Sequence, residues 1–245
     1  MVKIFSIVIP VFKNAESVPE LVEVVSNLAR LAKSNFDFST EVIFVVDGSP
    51  DNCYELLEKT LPDACFSSQL IHHSRNFGSF AAIRTGLQAA YGNLFCVVAA
   101  DLQEPTSLIL DMLGIVQRDE ADVAVGVRQS RKDGVVSRTL SAVFWKVFNR
   151  VSSLELPRGG VDIFALSRSA RETLNSFEES STSLIGLIYW MGFRRQEVPY
   201  HRVERQVGKS SWSLQKRINY AKDSITAFSE FPLSVFLWSG VIGAV

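Results

Sequence analysis

The sequence predicts an α/β domain, a parallel sheet with helices on both faces. Continuous apolar runs rich in β-branched residues (FSIVIPVF, EVIFVV, LFCVVAA) alternate with stretches of helical spacing. Polar turns close each run, and 245 residues at 47% hydrophobic and 21% charged suffice for one large core.

Each element can be justified in turn. FSIVIPVF reads as a buried parallel strand ended by Pro10. Ser17 and Glu20 have the spacing of a capping box, S-x-x-E, opening a helix. Val18, Leu21, Val22, Val25, Leu28 and Ala32 then keep helical spacing through to Lys33. Next come the strand EVIFVV, the turn DGSPDN, the helix YELLEKT and the strand QLIHH. A helix around Phe80–Tyr91, closed by Gly92, leads to the strand LFCVVAA. A helix Leu108–Gln117, with Thr106 as its cap, and the strand DVAVGV complete the sheet. Residues 135–152 read as a basic amphipathic helix, with Val136, Leu140, Val143, Phe144, Val147 and Val151 on one face. That pattern suits a membrane interface or packing on the core. The strand VDIFAL, two helices, the strand RRQEVPYH, a basic loop and a long helix Trp212–Phe228 follow.

Charge is unevenly spread. Residues 1–127 carry net −8, whereas 128–150 carry +5 and 194–222 carry +6. Two basic blocks on an acidic chain point to phosphate, diphosphate or an anionic membrane surface, and not to nucleic acid. After Glu230 the chain reads FPLSVFLWSGVIGAV without a charge, shorter than the roughly 20 apolar residues of a spanning helix. It reads as the start of a membrane segment or an interfacial anchor. The three cysteines are too scattered for a disulfide framework or a zinc site, and the N-terminus reads as a strand rather than a signal peptide. His72 and His73 end a strand without ligand-spaced partners and read as structural.

In parallel sheets, ligands bind beyond the carboxyl ends of the strands. Pro10–Asn14, Asp47–Asp51, Arg75–Gly78 and Asp101–Pro105 should therefore meet in one crevice. The strings there, IVIPVFKN, VVDGSPD, SRNFGSFAAIRTGL and AADLQEP, stand in an order and spacing that resemble the family-two glycosyltransferases. The similarity is greatest to the dolichol-phosphate mannosyltransferase and bacterial polyprenyl-phosphate glycosyltransferase branch. It continues through GVRQSRKDG, SLIGLIYWMGFRR and RQVGKSSWSL.

The resemblance implies the nucleotide-diphosphosugar transferase (GT-A) fold, with a mixed, mostly parallel sheet between helices and C-terminal amphipathic, membrane-proximal helices. It implies a catalytic domain over 1–200, a basic loop and juxtamembrane helix over 201–230, and a membrane segment or anchor over 231–245. The implied activity is inverting transfer of a sugar from a nucleoside-diphosphate sugar to a polyprenyl phosphate, at the cytoplasmic face of a membrane. A homo-oligomer is left open, as are extension of a non-phosphate acceptor and a silent nucleotide-binding scaffold.

By the same resemblance, Asp101 holds Mg²⁺ or Mn²⁺, hard ions that take oxygen ligands, and acts with Asp162 at the reacting centre. Pro10, Phe12, Asn14, Asp47, Gly48, Ser49, Arg75, Asn76, Gly78, Ala100 and Gln103 line the nucleotide-sugar site. Arg128, Arg131 and Arg138 take the acceptor phosphate, for which guanidinium forks are suited. Arg202, Arg205 and Lys209 form a lid over the diphosphate. Three family acids are replaced, by Asn14, Val46 and Ala99. All three fall on the nucleotide side.

Overall fold

Strands buried on both faces need no polar alternation, and the apolar runs of this chain form such a sheet. The computed structural model describes residues 3–129, 154, 156–157, 161–178, 183–203, 226–229 and 231–243. The chain parts into two units. The first joins Met1–Ser130, Val161–Glu178 and Phe193–Lys209; the second joins Arg131–Gly160, Glu179–Gly192 and Ser210–Val245.

In the first unit the elements are β1 (Ile4–Val11), α1 (Val18–Phe36), β2 (Ser39–Val46), α2 (Cys53–Thr60) and β3 (Ser67–His72). They continue as α3 (Ser79–Ala89), β4 (Leu94–Val97), α4 (Thr106–Gln117), β5 (Val123–Arg128), β6 (Val161–Ser167), α5 (Arg168–Ser176) and β7 (Arg195–Tyr200). The seven strands lie in the order β3-β2-β1-β4-β6-β5-β7. β6 runs antiparallel to both β4 and β5, and every other pairing is parallel. The sheet is thus mixed and mostly parallel, as the resemblance implied.

One face packs Phe5, Ile7 and Ile9 of β1 against Leu21, Val25 and Leu28 of α1, Leu57 of α2 and Met112 of α4. Each fully buried side chain of this size contributes about 1.5–3 kcal/mol. The other face receives α3, whose Gly86 lies so close to β1 that a Cβ would stand 2.3 Å from Val8 Cγ1. Polar groups enter the interior at the amino edge of the sheet. There Glu41, fully buried, accepts from Ser6 Oγ (2.6 Å), Gln69 Nε2 (2.7 Å) and the Tyr91 amide (3.2 Å). Each oxygen is satisfied, so the buried carboxylate is tolerated.

Three local expectations fail. Pro10 does not end β1, which runs on to Val11 and keeps its pairing with β2. The capping box does not form: Ser17 makes no cap bond, and its hydroxyl instead donates to the Asn14 carbonyl at 3.0 Å. A 3₁₀ turn over Ala15–Ser17 feeds α1 in its place. Thr106 is the first helical residue of α4 and not its cap, because Pro105 occupies the cap position.

In the second unit, α6 (Leu184–Trp190) is capped by Ser183, whose Oγ accepts from the Gly186 amide at 3.1 Å. α7 (Phe231–Gly243) exposes Leu233, Phe236, Leu237, Trp238 and Ile242. Among the described residues no helix is long and apolar enough to cross a membrane. The amphipathic helix expected over 135–152 lies outside the described residues, as does the helix from Trp212 except for its last turn, 226–228.

Candidate active site

The crevice forms where β1, β2, β3 and β4 end, and hydrogen bonds stitch its loops together. Pro10 sits in a central strand without penalty, for a physical reason. Val8 faces β4, its carbonyl taking the Val98 amide at 3.0 Å, so Pro10, two residues on, faces the same side. The β4 ladder has ended by then, at the Val8–Val97 pair, and the missing proline N–H serves no partner there.

Beyond β1, Lys13 adopts φ 56°, a left-handed value uncommon for a side-chain-bearing residue. Its amide donates to Ser49 Oγ (2.7 Å), and that hydroxyl donates to Asp51 Oδ1 (2.5 Å). Asp51 Oδ2 accepts from the Ala15 amide (2.9 Å), so one carboxylate ties the loop after β1 to the loop after β2. Asn14 Oδ1 accepts from the Phe12 amide (3.3 Å).

Burial pushes the Asp51 carboxyl up, but the hydrogen bonds from Ser49, Ala15 and Cys53 together outweigh it and hold the group below its ordinary value. A depressed acid stabilises the fold fully above its unfolded value, about 3.9. That contribution is lost as pH falls through the lower, folded value. Asp51→Asn should lower the urea midpoint at pH 7, and the gap between variant and native protein should narrow as pH falls below about 3.9, the ordinary Asp value; a gap that stays constant on acidification would contradict the account. Nearby, burial and then Asp51 push the Cys53 thiol up to about 12, which removes it as a nucleophile.

Asp47 is buried and serves as a second hub. Its Oδ1 accepts from the Phe77 amide (2.9 Å) and meets His73 Nδ1 (2.8 Å), and its Oδ2 accepts from the Gly78 amide (2.8 Å). Gly48 has φ 56°, and a Cβ there would lie 2.2 Å from the Arg75 carbonyl carbon. Only glycine allows this approach. The Arg75 guanidinium lies over the half-exposed Phe77 ring, 4.0 Å from its centroid. Gly78, at φ 98° and ψ 157°, turns the chain into α3.

The far wall is built after β4. Leu102 takes φ 55°, which sets Asp101 and Gln103 on either side of a sharp bend. Residues beyond β7 then pair with this bend: the Val203 amide donates to the Gln103 carbonyl (3.0 Å), and Gln103 Nε2 donates to the Val203 carbonyl (3.1 Å). This pairing brings Arg202 Nη2 to 3.3 Å from Asp101 Oδ2, both side chains mostly buried. Ser17 Oγ reaches the Ala100 carbonyl at 3.5 Å, linking this wall to the start of α1. Among the described residues no three His, Cys, Asp or Glu gather as a metal cluster.

Other predicted residues are placed less fully. Arg128 closes β5 opposite Tyr200 of β7. Asp162 falls at an irregularity of β6, between Val161 opposite Val127 and Ile163 opposite Gly126, at the crevice end of the sheet. Bulges often sit beside active sites. Arg131, Arg138, Arg205 and Lys209 lie outside the described residues, as does the Asp162 side chain. Asp51, Thr85 and the bridging role of His73 were missed by sequence reasoning. Their partners are far along the chain, and only the DGSPD turn hinted at Asp51.

The family profile described as Glycosyl transferase family 2 matches residues 6–174. The chain belongs to this family, and it is a glycosyltransferase. It is 31% identical over 240 residues to the uncharacterized glycosyltransferase YkcC of Bacillus subtilis, covering 97% of this chain and 72% of that one. It is 30% identical over 243 residues to a bactoprenol glucosyl transferase of Shigella phage SfV, covering 98% and 76%. Among solved structures, the Pyrobaculum calidifontis mannosyltransferase PcManGT, in complex with GDP-Man and Mn²⁺, superposes with a TM-score of 0.58 at 18% identity. That match covers 85% of this chain and 58% of the mannosyltransferase. Glucosyl-3-phosphoglycerate synthase of Mycobacterium tuberculosis, with Mn²⁺ and UDP-glucose, gives 0.59 at 16% identity over 90% and 76%. These two likenesses establish the fold.

Proposed function

We propose that this glycosyltransferase moves a sugar from a nucleoside-diphosphate sugar to a polyprenyl phosphate, with inversion, at the cytoplasmic face of a membrane. The observation that carries the donor side is the Asp101–Arg202 pair at the mouth of the sheet, beside loops bound together through Asp47 and Asp51. The acceptor is supported by relatives named bactoprenol glucosyl transferases and by the exposed apolar face of α7.

Asp101 fits a divalent cation of the Mg²⁺ or Mn²⁺ kind. It offers one mostly buried carboxylate, and such ions commonly take one or two carboxylates with phosphate oxygens. When bound, the ion supplies positive charge to the leaving nucleoside diphosphate. Pro10 and Phe12 bound the base. Arg75 and Arg202 lie on the diphosphate side, with Arg205 and Lys209 closing over it as a lid. Arg128, Arg131 and Arg138 hold the acceptor phosphate by paired hydrogen bonds. That phosphate is already anionic, with a second pKa of about 6, so it needs no strong base and Asp162 orients it. Its oxygen forms the new bond to the anomeric carbon as the bond to the diphosphate oxygen breaks on the opposite face.

The test supplies the full chain in detergent with Mn²⁺, a panel of labelled UDP- and GDP-sugars, and either undecaprenyl phosphate or free oligosaccharide. Label is expected in the lipid fraction. Label on the oligosaccharide instead would overturn the acceptor. Absence of both transfer and donor hydrolysis would make the chain a silent binder, as the replaced acids at Asn14, Val46 and Ala99 would then explain.

A further inference from the structure

We propose that His73 is a positioning residue for the donor pocket, acting through Asp47 on the Arg75–Gly78 loop; this rests on the crevice holding a nucleoside diphosphate. The loop joins β3 to α3 outside regular structure, and its order comes from one carboxylate. Both Asp47 oxygens are engaged by consecutive amides of Phe77 and Gly78, at 2.9 and 2.8 Å, and Asn76 Nδ2 approaches the Asp47 carbonyl at 3.4 Å. Asp47 thus stands as the anion at the start of α3, which has no side-chain cap of its own.

The two amides hold the carboxylate from the loop side, and His73 braces it from the β3 side. An ionised carboxylate only accepts, so Nδ1 carries the proton it donates to Asp47 Oδ1 at 2.8 Å. The opposite nitrogen, Nε2, meets Thr85 Oγ1 on α3 at 3.0 Å. The ring is held at both ends, and the Phe77 ring packs edge-on against it with centroids 5.5 Å apart. Phe77 in turn carries the Arg75 guanidinium on its face. The chain Thr85–His73–Asp47 therefore sets where Arg75 and Asn76 stand. An apolar residue could fill the same place at the end of β3, but it would remove the side-chain donor to Asp47 Oδ1 and loosen the hold of the carboxylate on the two amides.

The experiment measures binding of UDP and of GDP, each with Mn²⁺, to the full chain by calorimetry, beside thermal melts. His73→Leu is expected to weaken the preferred nucleotide about tenfold, the scale of one lost charge-assisted hydrogen bond. His73→Asn, whose amide nitrogen can reach Asp47 from nearly the place of Nδ1, should stay within about threefold of the native protein. Thr85→Val should weaken binding about threefold, since it removes only the outer anchor. The KM for polyprenyl phosphate should not move in any of the three. Native-like nucleotide affinity in His73→Leu with only a lowered Tm would reduce His73 to packing and overturn the proposal; so would failure of Asn to rescue. Should Leu not fold, Asn and Thr85→Val decide alone, and native affinity in Thr85→Val counts against it. If the native chain binds neither nucleotide, the donor pocket itself is refuted and the inference falls with it.

Discussion

Asp101→Ala is expected to lower transfer by about 10²–10³-fold, the usual loss when one electrostatic contact to developing charge is removed. It should also erase the additional thermal stabilisation that Mn²⁺ gives in the presence of UDP or GDP. The size of the effect follows from the shape of the wall after β4. Position 99 is alanine, so Asp101 supplies the acid of that stretch facing Arg202. Asp101→Asn keeps the volume and removes the charge. It should fail nearly as badly, which separates loss of charge from loss of packing. Initial rates and melting curves with and without Mn²⁺ measure both. Unchanged rates and an unchanged metal response would show that the acid has no part in donor activation.

The second large effect is expected at a residue with no side chain. Gly48→Ala should destabilise the fold by about 2–5 kcal/mol and abolish nucleotide binding. Two costs add. A side-chain-bearing residue in the left-handed region loses about 1–2 kcal/mol. Overpacking against a neighbour that cannot yield costs about 1–3 kcal/mol more. Here the neighbour is main chain, since the added Cβ would stand 2.2 Å from the Arg75 carbonyl carbon and 2.5 Å from the Asn76 nitrogen. The turn can accept the methyl only by pushing the Arg75–Gly78 loop off Asp47. Gly78→Ala is the control: its φ is also positive, but nothing lies within 4 Å of the new Cβ, so only the conformational cost applies. Urea titrations of the pair should differ clearly. Equal midpoints would mean that the loop moves aside freely.

The fold was legible because its central strands are buried on both faces and so read as unbroken apolar runs: Phe5–Val11, Val42–Val46 and Phe95–Val98 are buried almost throughout. The crevice was legible as well, because four turn motifs follow four strand ends. What escaped depends on partners distant in the chain. The insertion of antiparallel β6 between β4 and β5 is a property of strand order, which local periodicity does not encode. His73 looked structural because its partners, Asp47 and Thr85, lie 26 and 12 residues away. Ser17 and Glu20 had the spacing of a cap, yet the 3₁₀ turn that Asn14 begins places the Ser17 hydroxyl on a carbonyl instead. Asp51 hid in a turn where any Asp is unremarkable, and only the meeting of two loops gave it work.

The reversed direction of β6 has a consequence for how such a chain can diversify. β5 leaves the sheet near Arg128 and β6 re-enters at Val161, and because neighbouring antiparallel strands exchange ends, exit and entry share one border of the sheet. β7, parallel to β5, departs at that border too, after Tyr200. The chain thus leaves β5 and re-enters at β6 on the border of the sheet that also carries the turns after β1, β2 and β4. Residues at that border can vary while the strand pairings and the stitched turns stay as they are.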